Sequence, residues 1–318
     1  MNTKDFILIV ITGASGFIGQ ATSVFFKENT QSSLVLVDFL KTENQKLKEC
    51  QFIHTDNLFD FLDLKNSKIN FIIHLGAITD TTETNIDLLN KYNLFYSKVI
   101  WRKCVKYSIP LIYASSAATY GDGKFGFSDD HKKINLFKPL NLYAQSKHEF
   151  DKYILSEKDK PPFWYGLKFF NVFGFDESKK EKMASIIFQS FYQILETKKM
   201  QLFKSNNSKI KDGDQCRDFI YINDIIDVIL FLYSKKIKSG IYNIGTGKPT
   251  TFNNLISYVF DSLNKPKLIE YIEMPSDLKS QYQNYTKADV GKLRSFGYVK
   301  EFSNIEDGVK DYITKFLI

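Results

Sequence analysis

Residues 12–19 read TGASGFIG and set Gly13, Gly16 and Gly19 three apart. They follow Phe6–Thr12, a short apolar run rich in β-branched residues that reads as a buried parallel strand, and they precede Phe17–Glu28, which reads as a helix. Glycine permits the tight turn between the two and lets backbone N–H groups come close to a pyrophosphate. The positive end of the helix then lies under that phosphate, and Gly19, one turn in, allows close helix–strand packing. A strand, glycine turn and helix at the start of the chain commit this end to a βα unit that binds a dinucleotide.

The same alternation continues. Ser33–Asp38 reads as a second strand, Gln51–Thr55 as a weaker third, Phe71–Leu75 as a fourth, Pro110–Ser115 as a fifth and Phe163–Asn171 as a sixth. Leu88–Tyr107 and Asn141–Ser156 read as helices. Strands alternating with helices predict an α/β fold with a Rossmann-type, doubly wound parallel sheet. After Asn171 the rhythm changes: a Lys-rich stretch at 176–182, a helix, then the polar segment KSNNSKIKDGD at 204–214, expected to be an exposed loop. Ile241–Ile244 is expected to return to the main sheet. The division expected is a dinucleotide-binding domain of residues 1–171 with about 217–248, and a smaller α/β C-terminal substrate lobe of about 172–216 and 249–318.

Composition narrows the function classes. At 318 residues, 43% hydrophobic and 25% charged, the chain has the make-up of a packed globular enzyme rather than a disordered one. The net charge of +7 comes from lysines spread along the whole chain, with KKIK at 235–238 a short, solvated run, so no nucleic-acid surface is predicted. Cys50, Cys104 and Cys216 share no metal-ligand spacing and the four histidines form no HExxH, so no metal site is expected. The first apolar run is too short to span a bilayer and has no signal-peptide flanks, so a cytoplasmic location and no membrane partner are expected.

Asp38 ends the second strand 19 residues beyond Gly19, where a carboxylate can accept hydrogen bonds from the adenosine ribose. It opposes a 2′-phosphate, whereas nearby Lys41 offsets that repulsion, so the residues leave NAD and NADP both open. Asp56 follows the third strand and reads as a partner for the adenine amine or as a plain turn aspartate. Gly76 and Ala77 follow the fourth strand, where small residues let backbone lie along a cofactor. Tyr143 and Lys147, in YAQSK, share one face of a helix. The lysine ammonium is expected to favour the phenolate and lower the tyrosine pKa, making Tyr143 a general acid or base. Ser115-Ser116 end the fifth strand 27 residues upstream of this pair, where a serine can bond the reacting oxygen.

The glycine motif, Ser116 and Tyr143/Lys147 together resemble an extended short-chain dehydrogenase/reductase, a superfamily acting largely on nucleotide-activated sugars. More specific segments are YASSAATYG (113–121), PLNLYAQSK (139–147), FFNVFG (169–174), KMAS (182–185), RDFIYINDIIDV (217–228), YNIGTG (242–247) and YQNYTKADVGKLRSFGY (282–298). Over nearly the full chain these resemble the ADP-glycero-manno-heptose 6-epimerase family. The resemblance implies inversion at C6 of the heptose, by oxidation with tightly held NADP to a 6-keto sugar and return of hydride to the opposite face, supplying heptose for lipopolysaccharide. It implies two bases, Tyr143 and a lysine in ESKKEKMAS taken as Lys180, with Lys179 and Lys182 as neighbours competing for the role. It further implies cofactor contacts from Phe17, Ile18, Phe39, Leu75, Asn93, Lys147 and Val172. Substrate contacts are implied from Asn171, Lys182, Gln189, Phe203, Lys204, Ser205, Asn206, Arg217 and Tyr282, with Arg217 gripping the diphosphate. The family also implies a homo-oligomer.

The chain departs from the family where FKSN (203–206) replaces FEGS, where about four residues are inserted before Arg217, where Lys182 and Gln189 replace Ser and His, and where Phe39 replaces an asparagine. These changes bear on the sugar, the nucleotide and the NADP preference. The rival reading is another nucleotide-sugar epimerase or reductase, such as a 4-epimerase. A dehydratase would carry an Asp-Glu pair after a threonine where Ser116-Ala117-Ala118 stand. A catalytically silent nucleotide- or RNA-binding relative would have no need of an intact Ser116, Tyr143 and Lys147.

Overall fold

The computed structural model describes residues 7–279 and 282–318, with the side chains of residues 179, 181 and 277 outside that description. Six strands, β1 (Leu8–Thr12), β2 (Ser33–Asp38), β3 (Gln51–His54), β4 (Ile69–His74), β5 (Leu111–Ser116) and β6 (Trp164–Phe169), join Gly240–Ile244 in one seven-stranded sheet. The order across it is Gly240–Ile244, β6, β5, β4, β1, β2, β3, with the registered pairs β1–β2, β1–β4, β2–β3 and β4–β5 all parallel. This is the Rossmann-type α/β architecture expected. The order reverses at β1, which lies between β2 and β4, and such a reversal opens a crevice at the carboxyl ends of the strands. Strands covered on both faces must be apolar throughout, and Ile9, Val10 and Ile11 of β1 and Ile72 and Ile73 of β4 are fully buried.

The helices that matter to the site are α1 (Phe17–Asn29), α2 (Leu58–Lys65), α3 (Ile86–Leu89), α4 (Tyr96–Lys106), α5 (Leu142–Ser156) and α6 (Ile186–Thr197). The expected helix 88–107 is present but passes through a wider, π-helical turn at Asn90–Phe95 between α3 and α4. That turn carries Asn93, which is fully buried. Asn141 caps α5, its Oδ1 accepting from Ala144 N at 2.8 Å, which starts the helix at Leu142, one residue before Tyr143.

The chain falls into two compact units. The first runs as far as Ser116 and then takes Asn141–Lys168 and Val228–Tyr242. The second takes Ala117–Leu140, Phe169–Asp227 and Asn243–Ile318. The second unit spans both segments expected for the substrate lobe, together with residues 117–140, 169–171, 217–227 and 243–248, which the sequence pattern grouped with the first. Within it three short pairs form: Asn171–Phe173 with Phe219–Tyr221, Met200–Phe203 with Ile269–Ile272, and Cys216–Arg217 with Thr250–Thr251. Buried Asp218 ties this unit together, its carboxylate accepting from the backbone of Thr246, Gly247 and Ala288 at 2.7–2.8 Å. Among the described residues no helix is long and apolar enough to cross a membrane.

Candidate active site

In the first unit the glycine turn has the shape its spacing predicts. Gly13 is in the left-handed region at φ +68°, and a Cβ there would lie 2.6 Å from the Gly76 backbone. A Cβ on Gly19 would lie 1.9 Å from the Gly13 carbonyl oxygen. The turns after β1 and β4 therefore touch backbone to backbone, and any side chain would part them. Gly16 begins α1 with no side-chain cap, so no side chain of its own occupies the helix N-terminus. Phe17 is buried and Ile18 partly so, both in the first turn of α1.

Asp38 stands beside this turn. Its Oδ2 accepts from Ser15 N at 2.9 Å and its Oδ1 from Phe39 N at 2.8 Å, while Ser15 Oγ donates to the Leu40 carbonyl at 2.6 Å. The carboxylate thus joins the end of β2 to the glycine turn. Phe39 and Lys41 are exposed, Phe39 edge-on to the rings of Tyr92 and His54. Asp56 is exposed and 3.4 Å from His54 Nδ1.

Asn93, buried in the π-helical turn, bonds the chain just beyond Ala77. Its Oδ1 accepts from Ile78 N at 2.8 Å, and its Nδ2 donates to the Ile78 carbonyl at 2.9 Å and to Ser146 Oγ at 3.0 Å. These bonds fix the segment that begins Leu75-Gly76-Ala77 and link it to α5. A second chain of bonds runs beneath it. Gly76 N donates to Thr12 Oγ1 at 3.1 Å, Thr12 Oγ1 bonds His74 Nδ1 at 2.6 Å, His74 Nε2 bonds Ser97 Oγ at 2.9 Å, and Ser97 donates to the Asn93 carbonyl at 2.7 Å. Because Ser97 spends its proton on Asn93, it accepts from Nε2, which leaves Nδ1 to accept from Thr12. The chain therefore selects a neutral imidazole. Burial and the nearby Lys147 charge push the His74 pKa down in the same sense, to about 3.

Ser116, Tyr143 and Lys147 are brought together. Ser116 and Tyr143 share a hydrogen bond, and Lys147 Nζ donates to the Ala114 carbonyl at 3.1 Å. The tyrosine does not show the lowered pKa expected from its lysine. Burial is the larger influence and raises it, with only the Ser116 hydrogen bond pulling down. Burial acts on the lysine as well: Lys147 is 4% exposed and its pKa falls to about 8, opposed by the charge of Asp151. The pair therefore stands as a protonated tyrosine beside a lysine close to its titration point.

The second unit holds the other expected residues. Lys180 lies in the 3-10 segment Glu177–Met183, where burial lowers its pKa and Glu177 raises it. Glu177 is fully buried and accepts from Ser185 N at 2.6 Å and Ser185 Oγ at 2.8 Å at the start of α6. The side chain of Lys179 lies outside the described residues, and Lys182 is exposed. Gln189, exposed on α6, donates to the carbonyls of Lys182 and Ala184 at 3.1 and 2.8 Å, so it shapes the turn that carries Lys182.

Arg217 is 8% exposed, with its guanidinium 5.1 Å from the Tyr282 ring centre and 5.7 Å from that of Phe252. Nη1 donates to the Cys216 carbonyl at 3.0 Å, and burial lowers the pKa. Two of the expected substrate residues, Arg217 and Tyr282, are thus in direct contact. In the 203–206 segment, Lys204 pairs with Glu273 at 2.8 Å, Ser205 N donates to Asp212 at 2.7 Å, and Asn206 donates to the Lys279 carbonyl at 3.1 Å. Partly buried Phe203 ends the strand Met200–Phe203. Asn171 is exposed and Val172 partly so, on the short strand Asn171–Phe173 that pairs with Phe219–Tyr221.

Sequence reasoning passed over Thr12, His74, Asp151 and Glu177, and its reading of the strand end did not separate Ser115 from Ser116. Signals for two of them were present. Asp151 continues the face of Tyr143 and Lys147 at the next i+4 step, and Glu177 is an acid three residues from Lys180 on a tight turn. Thr12 and His74 become partners only through the β1–β4 register.

Residues 9–245 match the model of the NAD dependent epimerase/dehydratase family. The chain is 41% identical over 325 aligned positions to the ADP-L-glycero-D-manno-heptose-6-epimerase of Fusobacterium nucleatum, with 98% of each chain covered. It is 38% identical to the protein of that name from Nitratidesulfovibrio vulgaris, again with 98% of each covered. Among solved structures, the Helicobacter pylori ADP-L-glycero-D-manno-heptose-6-epimerase superposes with a TM-score of 0.80 at 28% identity, covering 98% of this chain and 96% of that one.

Proposed function

We propose that this chain, which belongs to the NAD dependent epimerase/dehydratase family, interconverts the two C6 epimers of ADP-glycero-manno-heptose with NADP as its cofactor. Full-length identity of 37–41% to four relatives bearing that name carries the choice of substrate over a 4-epimerase. The residues fit a nicotinamide dinucleotide. The Gly13–Gly76 backbone contact and the uncapped α1 N-terminus suit a pyrophosphate, and Asp38 suits the adenosine ribose.

A bound nicotinamide would supply the hydride acceptor and donor that inversion at C6 needs. Every other task falls to the chain. Tyr143, protonated and bonded to Ser116, can hand its proton to the C6 oxygen in the reductive direction, and the phenolate so formed can take one from the C6 hydroxyl in the oxidative direction. Lys147, its pKa lowered by burial to about 8, can hold the ribose hydroxyls through donors beyond the one engaged by Ala114. Inversion requires proton transfer to the C6 oxygen with the sugar presented in two orientations, and we assign the second base to Lys180, whose burial makes its amine easier to deprotonate. Arg217, braced by the rings of Tyr282 and Phe252, binds the diphosphate, and Asn171, Phe203 and the backbone of residues 204–206 line the nucleotide sugar.

The test is turnover. Purified protein incubated with either ADP-heptose epimer should give a mixture of both, separable by chromatography. Failure on ADP-heptose with conversion of a UDP- or GDP-sugar would transfer the chain to the rival reading.

A further inference from the structure

We propose that Asp151 is a positioning residue for the reaction: its buried pair with Lys168 fixes the end of β5 against α5 and sets a carboxylate one helical turn along α5 from Lys147. The inference rests on the reading that Tyr143 and Lys147 carry the proton chemistry.

Asp151 is fully buried on α5 and Lys168 is 1% exposed on β6. Asp151 Oδ2 accepts from Lys168 Nζ at 2.7 Å and from Ser115 Oγ at 2.7 Å, and Oδ1 accepts from Tyr113 Oη at 3.0 Å. Three donors thus converge on one carboxylate in the core. Tyr113 and Ser115 are two apart on β5 and so present to the same face of the sheet, the face that α5 covers. Between them Ala114 takes the Lys147 hydrogen bond, and directly after them comes Ser116, bonded to Tyr143. One carboxylate therefore grips both neighbours of Ala114. Gly166 serves the arrangement too, because a Cβ there would lie 2.2 Å from the Tyr113 hydroxyl that reaches Asp151.

The charge balance around Lys147 has few members. β4 presents His74, held neutral by its hydrogen bonds. β5 presents the Ala114 carbonyl, with the Ser116 and Tyr113 hydroxyls near by, and α5 presents Tyr143 and Asp151. β6 contributes Lys168 through Asp151, and His148, near both, has Glu149 and Lys152 about it. Asp151 is the anion that acts on Lys147, against the burial that lowers the lysine pKa. Removing either member of the Asp151–Lys168 pair must therefore displace the Lys147 titration in opposite directions.

The experiment is a titration of [13Cε]lysine-labelled full-length protein with its nicotinamide cofactor, followed by NMR, with Lys147 assigned by the signal lost in Lys147→Arg. Asp151→Asn should lower the Lys147 midpoint by about one pH unit and Lys168→Met should raise it by about the same. The limb of the kcat–pH profile should follow in the same two directions. Should Asp151→Asn not fold, Asp151→Asn/Lys168→Met takes its place, with a midpoint about one unit below that of Lys168→Met. Midpoints that stay put, or that move the same way in both single variants, overturn the proposal. If the midpoints move as stated while the wild type turns over no ADP-heptose, the positioning role stands and the catalytic reading falls. If turnover is normal and the midpoints are still, the reverse holds.

Discussion

Two lysines are assigned to proton chemistry, and their settings differ. Lys147 is on α5, a 15-residue helix, and its ammonium is bonded to the backbone of a central strand. Groups on β4, β5 and α5 set its charge, and each is itself held by hydrogen bonds. Lys180 is on a seven-residue 3-10 segment tied to α6 by side chains, buried Glu177 bound to Ser185 and Gln189 bound to the Lys182 and Ala184 carbonyls. A base on a regular element inherits its geometry from the fold. A base on a turn depends on whatever side chain pins the turn. Burial lowers the pKa of both, and an acid partly restores it in both, Asp151 for one and Glu177 for the other.

The sharpest way to break this comparison is to remove each base. Tyr143→Phe and Lys180→Met should each reduce epimerisation by about 10²–10⁴-fold, with cofactor still bound. Proton transfer in one orientation should survive in Lys180→Met, seen as bound NADP that is still reduced when ADP-heptose is added. A Lys180→Met enzyme of undiminished epimerase activity would leave Lys147 and Tyr143 as the whole machinery and return the 3-10 segment to a structural role.

The next effect tests how firmly the α5 setting is built. Asp151→Asn leaves the Lys168 ammonium in the core without its carboxylate and should lower unfolding free energy by about 3–5 kcal/mol, read by urea denaturation. Asp151→Asn/Lys168→Met should recover much of that loss. The exposed Lys204–Glu273 pair of the second unit should show no such effect, Lys204→Met leaving the midpoint of unfolding where it was.

How much of this was legible in the sequence follows the same division. The strand–glycine–helix start and the YxxxK pair are local patterns with a fixed geometric meaning, so Gly13, Gly19, Ser116, Tyr143 and Lys147 could be named from spacing alone. Asn93 could be named but not understood, because its role in pinning Ile78 depends on a π-helical turn that no spacing rule describes. The lowered tyrosine pKa was an error of environment. The i+4 rule places an ammonium near the phenol, yet says nothing of the desolvation that burial imposes on both. The Thr12–His74–Ser97 chain joins residues up to 62 apart through the β1–β4 register, and only the assembled sheet reveals it. Lys180 was accessible through family resemblance alone, since a lysine in a Lys-rich turn carries no local signature.

That buried chain supplies a smaller effect. Below its ordinary pKa of about 6.5, His74 accepts a proton in the unfolded chain and refuses it in the folded one down to about pH 3. The unfolded state then binds more protons, so stability falls as pH falls through this window. Between pH 7 and pH 5 the loss should be about 2 kcal/mol. His74→Gln should be less stable at pH 7 but should lack this part of the acid slope. Equal slopes in the two proteins would mean that the imidazole titrates in the folded state, and that the Thr12 and Ser97 bonds do not hold it neutral.

The smallest effect concerns the other end of the cofactor. Asp38 is a poor neighbour for a 2′-phosphate, yet its two oxygens are already engaged by the N–H groups of Ser15 and Phe39. Ser15 also holds the Leu40 carbonyl, which sets the path of the chain into exposed Lys41. A lysine in solvent so close to the ribose position can offset the repulsion only modestly. Lys41→Ala should therefore weaken NADP by about fivefold while leaving NAD unchanged, as measured by equilibrium binding at low salt. Asp38→Asn should strengthen NADP by a similar factor and weaken NAD. Tighter binding of NAD by the wild type, with no response to Lys41→Ala, would overturn the NADP assignment and leave the Asp38 carboxylate to the ribose hydroxyls, as its position at the end of β2 allows.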